Sequence, residues 1–226
     1  MNHKKELKKI INEELDPVLA EFGFKRVVTG WNVVYYFERN GIGAEVFYHI
    51  KDALTFGMTK VHMHLPEIEN IILEIGLPNF DLEDYKKGKE KLYTIYDGNA
   101  PLYNFPTEPI TDEKYTEQIV WEVKQYMQQY GMPFIEHYSY LPNVLKEMDR
   151  LESENIVWAD GILTGGPEYM FRGLIISKLC RDPAFEKKIN KIDSIYEEHN
   201  LTRWQPYYDK LKGVLATLEP KYPYYQ

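Results

Sequence analysis

The sequence predicts an α+β protein, with an N-terminal helix packed on an antiparallel β-meander and an all-α helical unit after it. Three observations carry this. Leu7, Ile10, Ile11, Leu15, Val18, Leu19 and Phe22 recur at spacings of three and four, the period of one helical face. The next stretch alternates aromatic and β-branched residues around Asn40-Gly41, a pair that accepts the two positive φ angles of a type I′ hairpin turn. Beyond Pro109 the period becomes helical and stays so. The segment Asn99 to Pro109 contains Pro101, Pro106 and Pro109 and reads as a linker, giving an α+β domain over 1–107 and a helical domain over 108–226.

Within the first domain, Pro17 should bend the opening helix, with Asp16 as a cap, and Gly23 should end it. A strand over Phe24–Val28 and a turn at Thr29-Gly30 lead to a second strand. There Trp31, Val33, Tyr35 and Phe37 share one face, and Asn32, Val34, Tyr36 and Glu38 the other. The hairpin partner covers about Ala44 to Ile50, and a third strand runs from Phe56 to Leu65. Pro66 stops it. A short helix follows on Ile68, Ile71, Ile72 and Ile75 and ends at Gly76. The charges between Pro78 and Lys91 read as a surface excursion, and Lys91–Tyr96 as a last strand closed by Asp97-Gly98.

In the helical half, Tyr115, Ile119, Val123, Tyr126, Met127 and Tyr130 form a stripe that Gly131 and Pro133 terminate. Leu141, Val144, Leu145, Met148 and Leu151 form the next. The run EYMFRGLIISKLC is apolar on nearly every side, the mark of a central buried helix. Asp182-Pro183 opens a helix on Phe185, Ile189, Ile192 and Tyr196, and Pro206 stands in the first turn of the last helix.

Composition narrows the functional classes. At 226 residues the core needs no disulfide or metal for stability, so stability is no argument for a cofactor, and none is assigned. The single cysteine, Cys180, lies in an apolar run and fits a buried thiol in a reducing cytoplasm. No stretch reaches the ~20 apolar residues of a membrane span, and the charged start does not lead into a signal-peptide core. A formal net charge of -8 weighs against nucleic acid as a partner, since phosphate binding draws on clustered Lys and Arg. The 19 tyrosines suit a recognition surface as well as a core rim.

Four features could carry chemistry. His62 and His64 alternate onto one strand face and a hairpin can bring His49 beside them, which would give a divalent metal three imidazoles and make a metal-dependent hydrolase the alternative function. Thr164-Gly165-Gly166-Pro167-Glu168 precedes a helix N-terminus but lacks the lysine and spacing of a phosphate loop. Cys180 has only Arg181 as a charged neighbour, and Glu13-Glu14, Glu83-Asp84 and Glu197-Glu198 diverge because they are adjacent. Leu65–Tyr85 carries Glu67, Glu69, Glu74, Asp81, Glu83 and Asp84 without Lys or Arg, interleaved with Ile71, Ile72, Phe80 and Leu82, the makings of an acidic rim for a basic partner.

The stretch ELKKIINEELDPVLAEFGFKR, through Leu19, Gly23, Phe24 and Lys25, resembles an uncharacterised bacterial domain family. That family opens with an amphipathic helix running into L-x-x-x-G-F and a basic residue. FYHI and FGMTKVHMHLPEI resemble its aromatic hairpin and proline-ended strand. The resemblance covers about the first hundred residues and implies an α+β fold and a bacterial cytoplasmic setting. An immunity-type role, neutralising a toxin by direct binding, is the conjecture attached to it, and it assigns no catalytic residue. The expected function is non-enzymatic binding of another protein, with no catalytic, cofactor or metal residue assigned.

Overall fold

The computed structural model describes residues 2–29, 32–78, 80–87, 91–101, 103, 105, 109–110 and 113–225. The turn at Gly30, the face position of Trp31 and Pro106 of the expected linker lie outside the described residues. In chain order the elements begin with α1 (Asn2–Glu21), β1 (Lys25–Thr29), β2 (Asn32–Arg39), β3 (Ile42–Ile50), β4 (Phe56–Met58) and β5 (His62–His64). Then come α2 (Pro66–Ile75), α3 (Leu82–Lys86), β6 (Ile95–Tyr96), α4 (Glu113–Tyr126), a π-helical turn (Met127–Gly131) and α5 (Met132–Tyr138). The chain closes with α6 (Leu141–Ser153), α7 (Trp158–Gly161), α8 (Glu168–Leu179), α9 (Phe185–His199) and α10 (Gln205–Thr217).

The chain forms two compact units, Met1–Met63 with Asp97–Glu136 and His64–Tyr96 with His137–Gln226. The 107/108 division read from the sequence falls inside the second segment of the first unit. The difference arises because α4 packs against α1. Its buried face, Ile119, Val123 and Tyr126, belongs to the core of the first unit.

In that unit α1 buries Leu7, Ile11, Leu15 and Leu19, one residue per turn. The stripe is narrower than its seven expected members, for Ile10 is 49% exposed and Val18 and Phe22 are half-buried. Pro17 sits inside an uninterrupted helix. Asp16 is not a cap: it accepts the Tyr35 hydroxyl at 2.9 Å and pairs with Arg26 Nε at 3.0 Å. The helix ends as expected at Gly23, with φ +85°. The N–H of Phe24 then reaches back to Leu19 O at 3.0 Å, a closure that satisfies a terminal carbonyl.

The strands of this unit run in the order β1-β2-β3-β5, with β4 also pairing β3. Register places Val33 opposite Tyr48, Tyr35 opposite Val46 and Phe37 opposite Ala44, all six buried. Hydroxyl bonds from two of them, Tyr35 to Asp16 and Tyr48 to Lys8 O, put this face under α1. At the hairpin Asn40 has φ +54° and Gly41 +79°, as the type I′ turn requires. The expected third strand is instead two short ones, β4 and β5. Between them Thr59 closes on Phe47, its N–H donating to Phe47 O at 2.8 Å and its Oγ1 accepting from Phe47 N at 3.0 Å, while Val61 N turns to the Tyr126 hydroxyl.

The helix begun by α4 does not stop at Gly131 and Pro133. It widens through the π-helical turn, with Met132 N–H donating to Met127 O, and continues as α5. Proline lacks the N–H that would reach four residues back and clashes with that carbonyl, so a wider turn one residue earlier lets the helix pass it.

The second unit is centred on α8, in which every residue from Met170 to Ser177 is buried, as its apolar run predicts. The stripe of α6 is buried at all five expected positions, and α2 buries Ile68, Ile72 and Ile75 before ending at Gly76, φ +78°. The expected surface excursion contains α3, capped by Asp81, whose carboxylate accepts from Glu83 N at 2.8 Å and Asp84 N at 3.1 Å. Asp182 opens α9 by accepting from Ala184 N, and its other oxygen holds Lys188. Pro206 lies in the first turn of α10.

Candidate binding site

The residues singled out in the sequence have structural partners. His49 lies over Gly57, where a Cβ would come within 2.9 Å of its ring. His62 stacks on Phe47 with ring centroids 6.4 Å apart and bonds Lys60 O through Nδ1; burial lowers its pKa. His64 Nδ1 is 2.9 Å from Leu92 O. Among the described residues no group of three His, Cys, Asp or Glu is placed to hold a metal ion. Cys180 is fully buried, and burial, with Glu67 and Asp182 nearby, pushes its thiol up to about 12, so it is a thiol and not a nucleophile at neutral pH. In the Gly165-Gly166 loop Thr164 N bonds Thr94 O, Thr164 Oγ1 bonds Tyr93 O, and Thr164 O accepts from Arg172, so this loop braces the fold.

The acidic stretch loses one of its six members. Glu69 is fully buried. Arg172 meets it in a two-pronged pair, Nε to Oε1 at 2.8 Å and Nη2 to Oε2 at 2.9 Å, and Thr94 Oγ1 donates to Oε1 at 2.8 Å. Such a pair spends its charge inside the unit and presents nothing to a partner. In the same stretch Asp81 caps α3, and Glu67 accepts from the Tyr222 hydroxyl at 2.8 Å and lies 3.6 Å from Lys221.

One surface of the first unit has a different character. On α4 and the π-helical turn, Trp121, Gln125 and Gln129 stand four residues apart, beside a second row, Glu122, Tyr126 and Tyr130. With Tyr103 and Pro101 these rows line a cleft of about 300 Å³. Trp121 is 58% exposed and Tyr130 38%, a costly display of ring surface if nothing covers it. The rings continue inward. Tyr126 lies 6.3 Å from Tyr130 and 4.8 Å from Tyr103, which stacks on Phe105 at 4.5 Å.

Hydrogen bonds beneath the cleft fix its floor. The Tyr126 hydroxyl donates to Asp97 Oδ2 at 2.9 Å and accepts from Val61 N at 2.8 Å. Tyr103 donates to Thr59 O at 2.9 Å. Asp97 is 5% exposed; its other oxygen accepts from Ala100 N at 3.2 Å, and burial raises its pKa against the opposing pull of these bonds and of Lys60. Burial likewise raises the hydroxyls of Tyr126 and Tyr103, which stay protonated and keep donating.

Reading by period found this helix and missed the cleft. Tyr126 and Tyr130 were assignable to the apolar stripe, yet Tyr130 lies at the surface. The available signal was Trp121, a tryptophan off the Ile119-Val123-Tyr126 stripe and therefore on the opposite side of the helix from the core. No family model, curated protein or solved structure matches the chain. The resemblance in the opening segment therefore stands on Leu19, Gly23, Phe24 and Lys25, of which Leu19 and Phe24 are core residues and Gly23 ends α1.

Two measurements check the electrostatics. Glu69→Gln strands the Arg172 charge and is expected to cost about 3–5 kcal/mol in urea unfolding, whereas replacing Glu69 and Arg172 together by methionine costs less than that single change. A double variant less stable than Glu69→Gln contradicts the buried pair. For Asp97, a raised folded pKa means that the unfolded chain ionises first as pH climbs. The stability of the wild type relative to Asp97→Asn therefore falls as pH rises above about 3.9 and is fully present below it. A flat or rising difference contradicts the burial of that carboxyl.

Proposed function

We propose that this protein is a non-enzymatic protein-binding module whose partner contact is the aromatic cleft of the first unit. The observation that carries the reading is Trp121, 58% exposed on a helix face beside Tyr130, Pro101 and Glu122. Tryptophan and tyrosine dominate the energetics of protein interfaces because a large apolar body is desolvated there at small entropic cost. The floor of hydrogen bonds under Tyr126 and Tyr103 supports the same reading, since rings already held in place lose little freedom on binding. An immunity-type role is one form of this activity. The buried free thiol of Cys180 supports a reducing, cytoplasmic setting, and a bacterial one follows the resemblance in the first helix and strand.

No helix among the described residues is long and apolar enough to cross a membrane. His62 and His64, each bonded through Nδ1 to a backbone carbonyl, give the hydrolase alternative using His49, His62 and His64 no support.

Affinity purification from the native cell, run side by side with wild type and Trp121→Ala, tests the reading. An exposed tryptophan at the centre of an interface typically contributes about 2 kcal/mol or more, so the variant should hold the partner at least about 30-fold less tightly while melting at the same temperature. A partner retained equally by both proteins contradicts the assignment.

A further inference from the structure

We infer that the aromatic cleft seats a positively charged side chain, arginine or lysine, carried by an extended segment of the partner protein. This rests on the protein-binding reading above and adds the chemistry of what is bound. Among the described residues lining the cleft, tyrosines aside, the one ionisable group is the Glu122 carboxylate, and none is Lys or Arg. The lysine nearest in sequence on the same helix, Lys124, is drawn off to Glu21 at 2.9 Å. Ring faces carry the negative lobe of their quadrupole and attract a cation laid over them.

Tyr130 offers ring surface, 38% exposed, and Tyr126 and Tyr103 lie packed beneath it. Tyr103 and Tyr126 have their hydroxyl protons committed to Thr59 O and Asp97, so neither O–H is free to turn into the cleft as a competing donor. A volume of about 300 Å³ accepts one long side chain, its methylene stem along Trp121 and its charged head near Glu122. The chain's net charge of -8 adds a long-range pull on a basic segment. A neutral proline-rich strand, which also favours Trp, Tyr and Pro grooves, gains nothing from Glu122 or from that field.

The full-length protein is titrated by calorimetry with capped hexa-arginine and capped hexaproline peptides at about 150 mM salt, where diffuse attraction is largely screened. Three proteins are compared: wild type, Trp121→Ala and Glu122→Gln. Hexa-arginine is expected to bind wild type about tenfold more tightly than Trp121→Ala and several-fold more tightly than Glu122→Gln, with both variants melting as wild type does. Equal affinity for all three proteins, or no binding at all, overturns the cation site. Trp121-dependent binding of hexaproline without hexa-arginine also overturns it while leaving the protein-binding reading standing. That reading fails separately, through a native partner that wild type and Trp121→Ala retain equally.

Discussion

The Tyr126 hydroxyl is the bond on which the first unit's surface depends. It donates to a buried carboxylate, Asp97, and accepts from a backbone amide, Val61, that lies in the break between β4 and β5. One side chain thus satisfies two buried polar groups that are distant in sequence. It also fixes the end of α4 where the helix widens into its π turn. The turn exists because Pro133 cannot donate to the carbonyl four residues back, and the widening sets the row that carries Tyr126 and Tyr130. Chemistry beneath the surface, a buried acid and a phenol, therefore holds the ring on which Tyr103 and Tyr130 pack.

The second unit shows the complementary use of charge. Glu69 with Arg172, and Lys188 with Asp149 and Asp182, are pairs or triads withdrawn from water. For Lys188 burial works to lower its pKa, and the two carboxylates outweigh that and raise it, so the ammonium persists. Tyr225 closes the same group by donating to Asp149 at 2.7 Å. The first network ties α8 to α2 and the second ties α9 to α6, and the Glu69 pair explains why an acidic stretch in the sequence need not be an acidic surface.

What the sequence made legible follows from period and turn chemistry. The α1 core positions, the I′ hairpin at Asn40-Gly41, the stop at Pro66, the cap of α2 at Gly76 and the burial of α8 all follow from local patterns that the tertiary structure keeps. Other features did not. The single stretch Phe56–Leu65 divides because Thr59 and Val61 find partners outside a ladder, which no alternation pattern encodes. The unit boundary moves because α4 has a face that fits the core under α1, and a helical period does not say which core it serves. Glu69 looked solvated because its partner, Arg172, lies about a hundred positions away inside an apolar run. The cleft escaped for a related reason: periodicity identifies the buried side of a helix and is silent about what its other side displays.

The account joins an exposed tryptophan, a packed row of tyrosines and the Glu122 carboxylate into one site for a basic segment of another protein. Its central claim is that Trp121 touches the bound partner and that Trp158 and Trp204 do not. The ¹⁵N–¹H spectrum of the tryptophan indoles, assigned by Trp→Phe variants at 31, 121, 158 and 204 and recorded as hexa-arginine is added, tests this directly. The account predicts that the Trp121 indole signal shifts in proportion to occupancy while those of Trp158 and Trp204 stay in place. A Trp121 signal that does not move as the peptide binds contradicts it.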